Sequence, residues 1–184
     1  THRLRLPRFV GHIESPVLCV GARLGAEVKA FRAAVPGLLS VGTDYNPGNR
    51  NPYVMWGDAH SLQFSPNSLA VLYTNVLDHI RNTSTFAREA HRVLRPNGTL
   101  WVEFTLDSVQ DKLLTIDNPA IGLIEVYRLT QNEPRQLYRT GTSQPFSSRP
   151  LPFHGYAFPL DGSSAAGDTL LLRLRNDYPL AARI

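Results

Sequence analysis

Apolar residues along this chain gather in short runs that stop at glycine or aspartate, and between the runs they recur every three or four positions. The first run, residues 17–20, predicts a strand that breaks at the turn Gly21 to Gly25. Leu24, Val28, Phe31 and Val35 then share one face at helical spacing, and Pro36-Gly37 stops that helix. A strand that feeds a helix through glycines leaves free N–H groups and the positive end of the helix dipole facing a ligand. Residues 38–43 predict a second strand, ending at Asp44 and the turn Asn46-Pro47-Gly48; residues 53–56 predict a third, ending at Gly57-Asp58. A fourth strand, residues 69–74, enters the loop 75–80. The polar cluster 82–85 caps a helix running to Leu94, with Phe86, Ala90, Val93 and Leu94 on one face. Pro96-Asn97-Gly98 then turns the chain into a fifth strand, residues 99–104.

Strands alternating with helices predict an α/β fold, a parallel sheet with helices on both faces. Ligands of such sheets sit at the carboxyl ends of the strands. Gly21 to Gly25, Asp44, Asp58 and Asn75 all stand at predicted strand ends and are expected to converge on one crevice. Beyond Phe104 the pattern predicts a helix over 120–130, started by Asp117 and Pro119, and strands over 136–140 and 169–175. Residues 141–168, rich in Gly, Ser and Pro, are expected to form a long loop or lid. The expected organisation is one domain: an irregular lead-in over 1–15, with at most a short strand or turn near residues 9–13, a ligand-binding core over 16–104, and a C-terminal part over 105–184.

Composition narrows this picture. At 184 residues the chain suits one domain with a substantial core. Its single cysteine, Cys19, excludes an intrachain disulfide or a cysteine-rich zinc cluster. The net charge of +4 comes from arginines scattered along the chain, not from a basic stripe, so nucleic acid is not the expected partner. No apolar run reaches the roughly 18 residues of a membrane helix. The opening THRLRLPRF lacks the apolar core of a signal peptide, which fits a piece of a larger polypeptide whose targeting information lies elsewhere; a cytoplasmic location is favoured.

Five motifs, in order over residues 17–104, resemble those of the class I S-adenosylmethionine-dependent methyltransferases. VLCVGARLG stands at the glycine-rich first motif, SVGTDYNPG supplies the acid after strand two, and WGDAHSLQF the acid after strand three. LYTNVLDHI matches the fourth-strand motif, and FAREAHRVLRPNGTLWVEF the helix, Pro-x-Gly turn and fifth strand. The resemblance implies a three-layer Rossmann-like fold whose mostly parallel, seven-stranded sheet has an antiparallel last strand. It also implies S-adenosylmethionine as cofactor, held by Gly21, Ala22, Arg23, Gly25, Asp44, Tyr45, Asp58, Ala59 and Asn75. Asp44 can accept from the ribose hydroxyls and Asp58 from the adenine amino group, Ala59 can offer its N–H to the ring, and Tyr45 and Leu62 are candidates to sandwich the adenine. Two positions depart from the family: Cys19 where strand one usually carries an acid, and Arg23 where the turn has its middle glycine. Arg23 is a candidate to pair with the cofactor carboxylate, or else a surface arginine. A nicotinamide-binding domain is the nearest competitor, but its Gly-x-Gly-x-x-Gly spacing is not met.

Methyl transfer asks a protein chiefly to position the acceptor and remove its proton. His79 is the candidate base, with Asp78 beside it on the loop after strand four, and His60 is a second candidate. In the other reading Asp78 and His79 only cap or pack the next helix. The Asn-Pro-Pro-Tyr run of many amino-methyltransferases is absent after strand four, and no His, Asp or Glu set has metal-ligand spacing. A small-molecule O- or N-acceptor is expected, with Phe146, Phe153, His154, Tyr156 and Phe158 as aromatic residues that either close over it or tuck the late loop onto the domain. The alternative is an inactive methyltransferase-like binding or scaffolding domain.

Overall fold

The computed structural model describes residues 13–106, 112–129, 134–160 and 167–175. They fall into two compact units, within Thr1–Val102 and Glu103–Ile184.

In the first unit β1 (Val17–Val20) is apolar and buried at all four positions, as a central parallel strand must be. It pairs in parallel with β2 (Ser40–Asp44) on one side and β4 (Leu69–Thr74) on the other. The short β3 (Val54–Trp56) adds to β2 and β5 (Leu94–Thr105) to β4, also in parallel, giving the order β3-β2-β1-β4-β5. The expected α/β Rossmann-like sheet is thus present, and the strand order turns around β1, where such sheets bind ligands. Helix α1 (Ala26–Ala34) buries Val28 and Phe31, whereas Leu24, expected on the same face, precedes the helix and is 66% exposed. Helix α2 (Thr83–Val93) begins as expected, with the Asn82 side chain accepting from Thr85 N–H, and buries Phe86, Ala90 and Val93. These three join Leu18, Val20, Leu62, Leu69, Leu72 and Ile80 in one core. Pro96-Asn97-Gly98 does not separate helix from strand: it lies inside β5, where the register slips between the pairs Leu69–Leu94 and Val71–Thr99. Asn97, at φ 63°, absorbs the irregularity.

In the second unit the helix expected over 120–130 is strand β7 (Leu123–Leu129), preceded by β6 (Lys112–Ile116). Asp117 and Pro119 imitate a helix start, but Ile124, Val126 and Tyr127 are strand formers, and six of the seven β7 residues are buried. β7 pairs antiparallel with β8 (Pro134–Thr140) and β10 (Thr169–Arg175). The second unit thus has several antiparallel strands, where the family resemblance implied a single antiparallel last strand. Glu125 on β7 is buried and faces a cation on each neighbour, Arg173 at 3.0 Å and Arg139 at 3.7 Å. The stretch 141–168 is not one long loop, since β9 (Tyr156–Leu160) pairs antiparallel with β6. Tyr156 and Phe158 are buried in this unit and cannot close over an acceptor, while Phe146 and Phe153 remain exposed. Apart from Ile13, the expected strand or turn near residues 9–13 falls outside the described residues.

Candidate functional site

The carboxyl ends of β1, β2, β3 and β4 lie along one edge of the parallel sheet, since Val20 is level with Thr43 and Thr74, and Asp44 with Trp56. The chain after β1 turns with φ 76° at Gly21, 41° at Arg23 and 80° at Gly25. Arg23 therefore takes a left-handed backbone of the kind that glycine adopts readily, at a steric cost. A side chain at Gly21 would be stopped by Val76 from the loop after β4, its Cβ falling 2.1 Å from Val76 Cγ2. The N–H groups of Gly21 and Ala22 both donate to the Thr43 carbonyl, at 2.8 and 3.1 Å, binding the turn to the end of β2.

Asp44 stands next to that turn. One carboxylate oxygen accepts from Arg23 N–H at 2.9 Å and the other from Asn46 N–H at 2.7 Å. An ionised carboxylate offers about four acceptor positions, so about two stay available for a pair of hydroxyls. Asp58 accepts from both the backbone N–H and the ring Nδ1 of His60, at 2.8 and 2.9 Å. The His60 backbone bond, then the Tyr45 hydroxyl and the His60 ring, hold its carboxyl below the ordinary carboxylate range. Tyr45 is exposed and meets the exposed Trp56 edge to face, ring centroids 6.3 Å apart. Trp56 is an aromatic surface at the site that sequence reading did not single out; its place at the end of a short apolar run was the available signal.

His60 serves a structural bond on each side of its ring: Nδ1 meets Asp58, and Nε2 accepts from Asn82 N–H at 3.2 Å. Both nitrogens are engaged, so it is a poor candidate base. Ala59 is half-buried beside Asp58. Leu62 is buried in the core, not offered to a ring, and its N–H donates to Glu89 at 2.8 Å. Glu89 is clasped by Arg92 through both carboxylate oxygens, at 2.7 and 2.8 Å, and Arg92 also donates to the carbonyls of Leu62 and Phe64. This clasp ties the loop after Asp58 to α2. Chiefly through Arg92, it holds the Glu89 carboxyl below its ordinary value. A carboxyl lowered by folding stabilises the fold above its ordinary range, and that stability is lost as the pH falls through the folded value. The unfolding midpoint is accordingly expected to be level near neutrality and to fall below about pH 4. Glu89→Gln should cost about 1–3 kcal/mol at pH 7 and flatten part of the acid limb; a variant that unfolds like the parent across this range, followed by circular dichroism, would remove the clasp.

Asn75, at the end of β4, donates from its side chain to Glu27 Oε1 at 3.2 Å. The Glu27 partner was not legible in the sequence, being 48 residues away. Asp78 and His79 form the 3₁₀ turn Leu77–His79, with His79 Nε2 3.6 Å from Asp78 Oδ2 and both side chains more than 70% exposed. Among the described residues no group of three His, Cys, Asp or Glu is placed to hold a metal ion, and no helix is long and apolar enough to cross a membrane.

Two family models match the chain: "Methyltransferase domain" over residues 18–102, and "7TMR-DISM extracellular 2" over residues 77–184. The overlap, 77–102, is the stretch that builds α2 and most of β5 of the parallel sheet. No curated protein matches the chain. Among solved structures, a SAM-dependent methyltransferase from Thermotoga maritima superposes with TM-score 0.55 at 12% identity, covering 91% of this chain and 84% of that one. A structure described as a methyltransferase, from Bacillus halodurans, gives 0.50 at 16% identity, over 88% and 92%. A SAM-dependent methyltransferase from Aquifex aeolicus gives 0.45 at 15%, over 52% and 59%. The chain spans 59% of the Aquifex protein and 45% and 44% of two further matched structures, about half the length of these relatives.

Proposed function

We propose that this chain, whose residues 18–102 belong to the class I S-adenosylmethionine-dependent methyltransferases, transfers a methyl group from its expected cofactor, S-adenosylmethionine, to a small-molecule oxygen or nitrogen acceptor. The observation that carries the reading is Asp44, a carboxylate at the end of β2 that is fixed by two backbone N–H groups and keeps acceptor capacity for a pair of ribose hydroxyls. Bound at this edge, the cofactor supplies an electrophilic methyl group on a sulfonium. Gly21, Ala22 and Gly25 allow close backbone approach, and Arg23 is assigned to the cofactor carboxylate. Asp58 and the Ala59 N–H are assigned to the adenine edge, with Tyr45 against its face and Asn75 at the methionine end. Held by the backbone N–H and the ring of His60, Asp58 is kept in one orientation for that task.

His79 is assigned as the base that takes the acceptor proton, with Asp78 orienting its ring. Its exposure leaves it free to meet an incoming acceptor. The test is a panel of small hydroxyl and amine compounds offered with labelled cofactor. For a compound the parent protein methylates, His79→Ala should turn over about 100-fold more slowly with unchanged affinity for S-adenosylhomocysteine; full turnover would remove the base. A second reading, a binding module without catalysis, draws on Cys19, a buried neutral thiol where the family places an acid. Cofactor binding with no methylation of any kind of acceptor would favour it.

A further inference from the structure

Cys19 sits at the centre of the parallel sheet, level with Gly42 on β2 and Tyr73 on β4, and is 1% exposed. Burial pushes its thiol far up, and the negative charge of Glu27 pushes it further, so strand one offers no anion to a cationic ligand. Glu27 lies in the first turn of α1, two residues past Gly25, where the helix dipole favours a negative charge. It is half-buried, and Asn75 at the end of β4 fixes its Oε1. Its other oxygen makes no hydrogen bond among the described residues. A fixed carboxylate with a spare oxygen, between the glycine turn and the end of β4, suits a primary ammonium group.

We propose that Glu27, held by Asn75, is the anionic anchor for the α-ammonium of the cofactor's methionyl end, doing from the helix what an acid on strand one would otherwise do. The assignment rests on the cofactor reading above. It separates the two ends of the ligand: Asp44 serves the nucleoside, Glu27 the amino acid.

Calorimetric titration with S-adenosylhomocysteine and with 5′-methylthioadenosine, which has the nucleoside but no amino acid, tests it. Glu27→Gln should weaken S-adenosylhomocysteine about 10- to 100-fold, the value of a hydrogen bond to a charged partner, and leave methylthioadenosine within about twofold. Asn75→Ala should move the same ligand in the same direction by a smaller factor. Unchanged S-adenosylhomocysteine affinity in Glu27→Gln would overturn the anchor while leaving the cofactor reading in place. Equal weakening of both ligands would overturn it too, by making Glu27 a support of the whole turn. If the parent protein binds neither ligand, the cofactor reading fails and the anchor falls with it.

Discussion

Replacing Asp44 with alanine is expected to weaken S-adenosylhomocysteine binding by about 100-fold or more, since two hydroxyl bonds to a charged acceptor contribute about 1.5–3 kcal/mol each. The loss has a second source in the protein itself. Asp44 receives Arg23 N–H and Asn46 N–H, so without the carboxylate the turn after β1 loses one of its ties to the end of β2 and keeps those from Gly21 and Ala22 N–H to the Thr43 carbonyl. Asp44→Asn separates the two contributions: its amide oxygen can keep one of those backbone bonds, but it carries no charge, so it should fall between the parent and the alanine variant. Calorimetric titration of the three proteins measures this ordering. Equal affinity in parent and Asp44→Ala would remove the ribose assignment.

Gly21→Ala is expected to cost about 2–5 kcal/mol of stability. About 1–2 kcal/mol is the cost of a left-handed backbone at a residue with a Cβ, and Gly21 stands at φ 76°. The remainder comes from Val76, whose Cγ2 lies 2.1 Å from the new Cβ and whose Cγ1 lies 3.0 Å from it. Overpacking of this kind costs about 1–3 kcal/mol when neighbours must shift. Val76 follows Asn75, so its displacement would also move the loop that carries Asn75 and His79. Adding Val76→Ala should recover the packing part and leave the backbone part. Denaturant unfolding measures both, and a Gly21→Ala protein within about 0.5 kcal/mol of the parent, the scatter of a neutral surface change, would show that the turn is not held against the β4 loop.

The first four parallel strands were legible because each is a short run closed by glycine, aspartate or asparagine, and because a buried parallel strand such as β1 or β4 reads as continuous apolar sequence. The same rule places Gly21, Asp44, Asp58 and Asn75 at the ends of neighbouring strands from sequence alone. It failed where local signals contradicted the final pairing. Asp117 and Pro119 imitate a helix start, yet the run from Leu123 to Leu129 is drawn into strand pairing on both sides, by β8 and β10. Pro159, Gly155 and the serines around them disguise β9 as loop, although Tyr156 and Phe158 alternate at strand spacing and are buried. Pro96-Asn97-Gly98 reads as a turn and becomes an irregularity inside β5.

At the site, what escaped sequence reading is long-range. The Glu27–Asn75 bond, the His60–Asn82 bond and the Glu89–Leu62 bond join residues 48, 22 and 27 positions apart, and no local pattern announces such pairs. His60 shows the consequence. Its place after Asp58 suggested chemistry, but the fold uses both ring nitrogens to join the chain after β3 to the start of α2. Arg23 stands where the family's turn has its middle glycine, and its φ of 41° is a left-handed backbone of the kind a glycine adopts.

Whether the edge formed by the glycine turn, Asp44 and Asp58 binds S-adenosylmethionine is decided by calorimetric titration of the unaltered protein with S-adenosylhomocysteine. Saturable heat is expected, with one ligand per chain and a dissociation constant no weaker than about 100 micromolar, equivalent to about −5.5 kcal/mol. No heat at millimolar ligand, with the protein folded by circular dichroism, would contradict it.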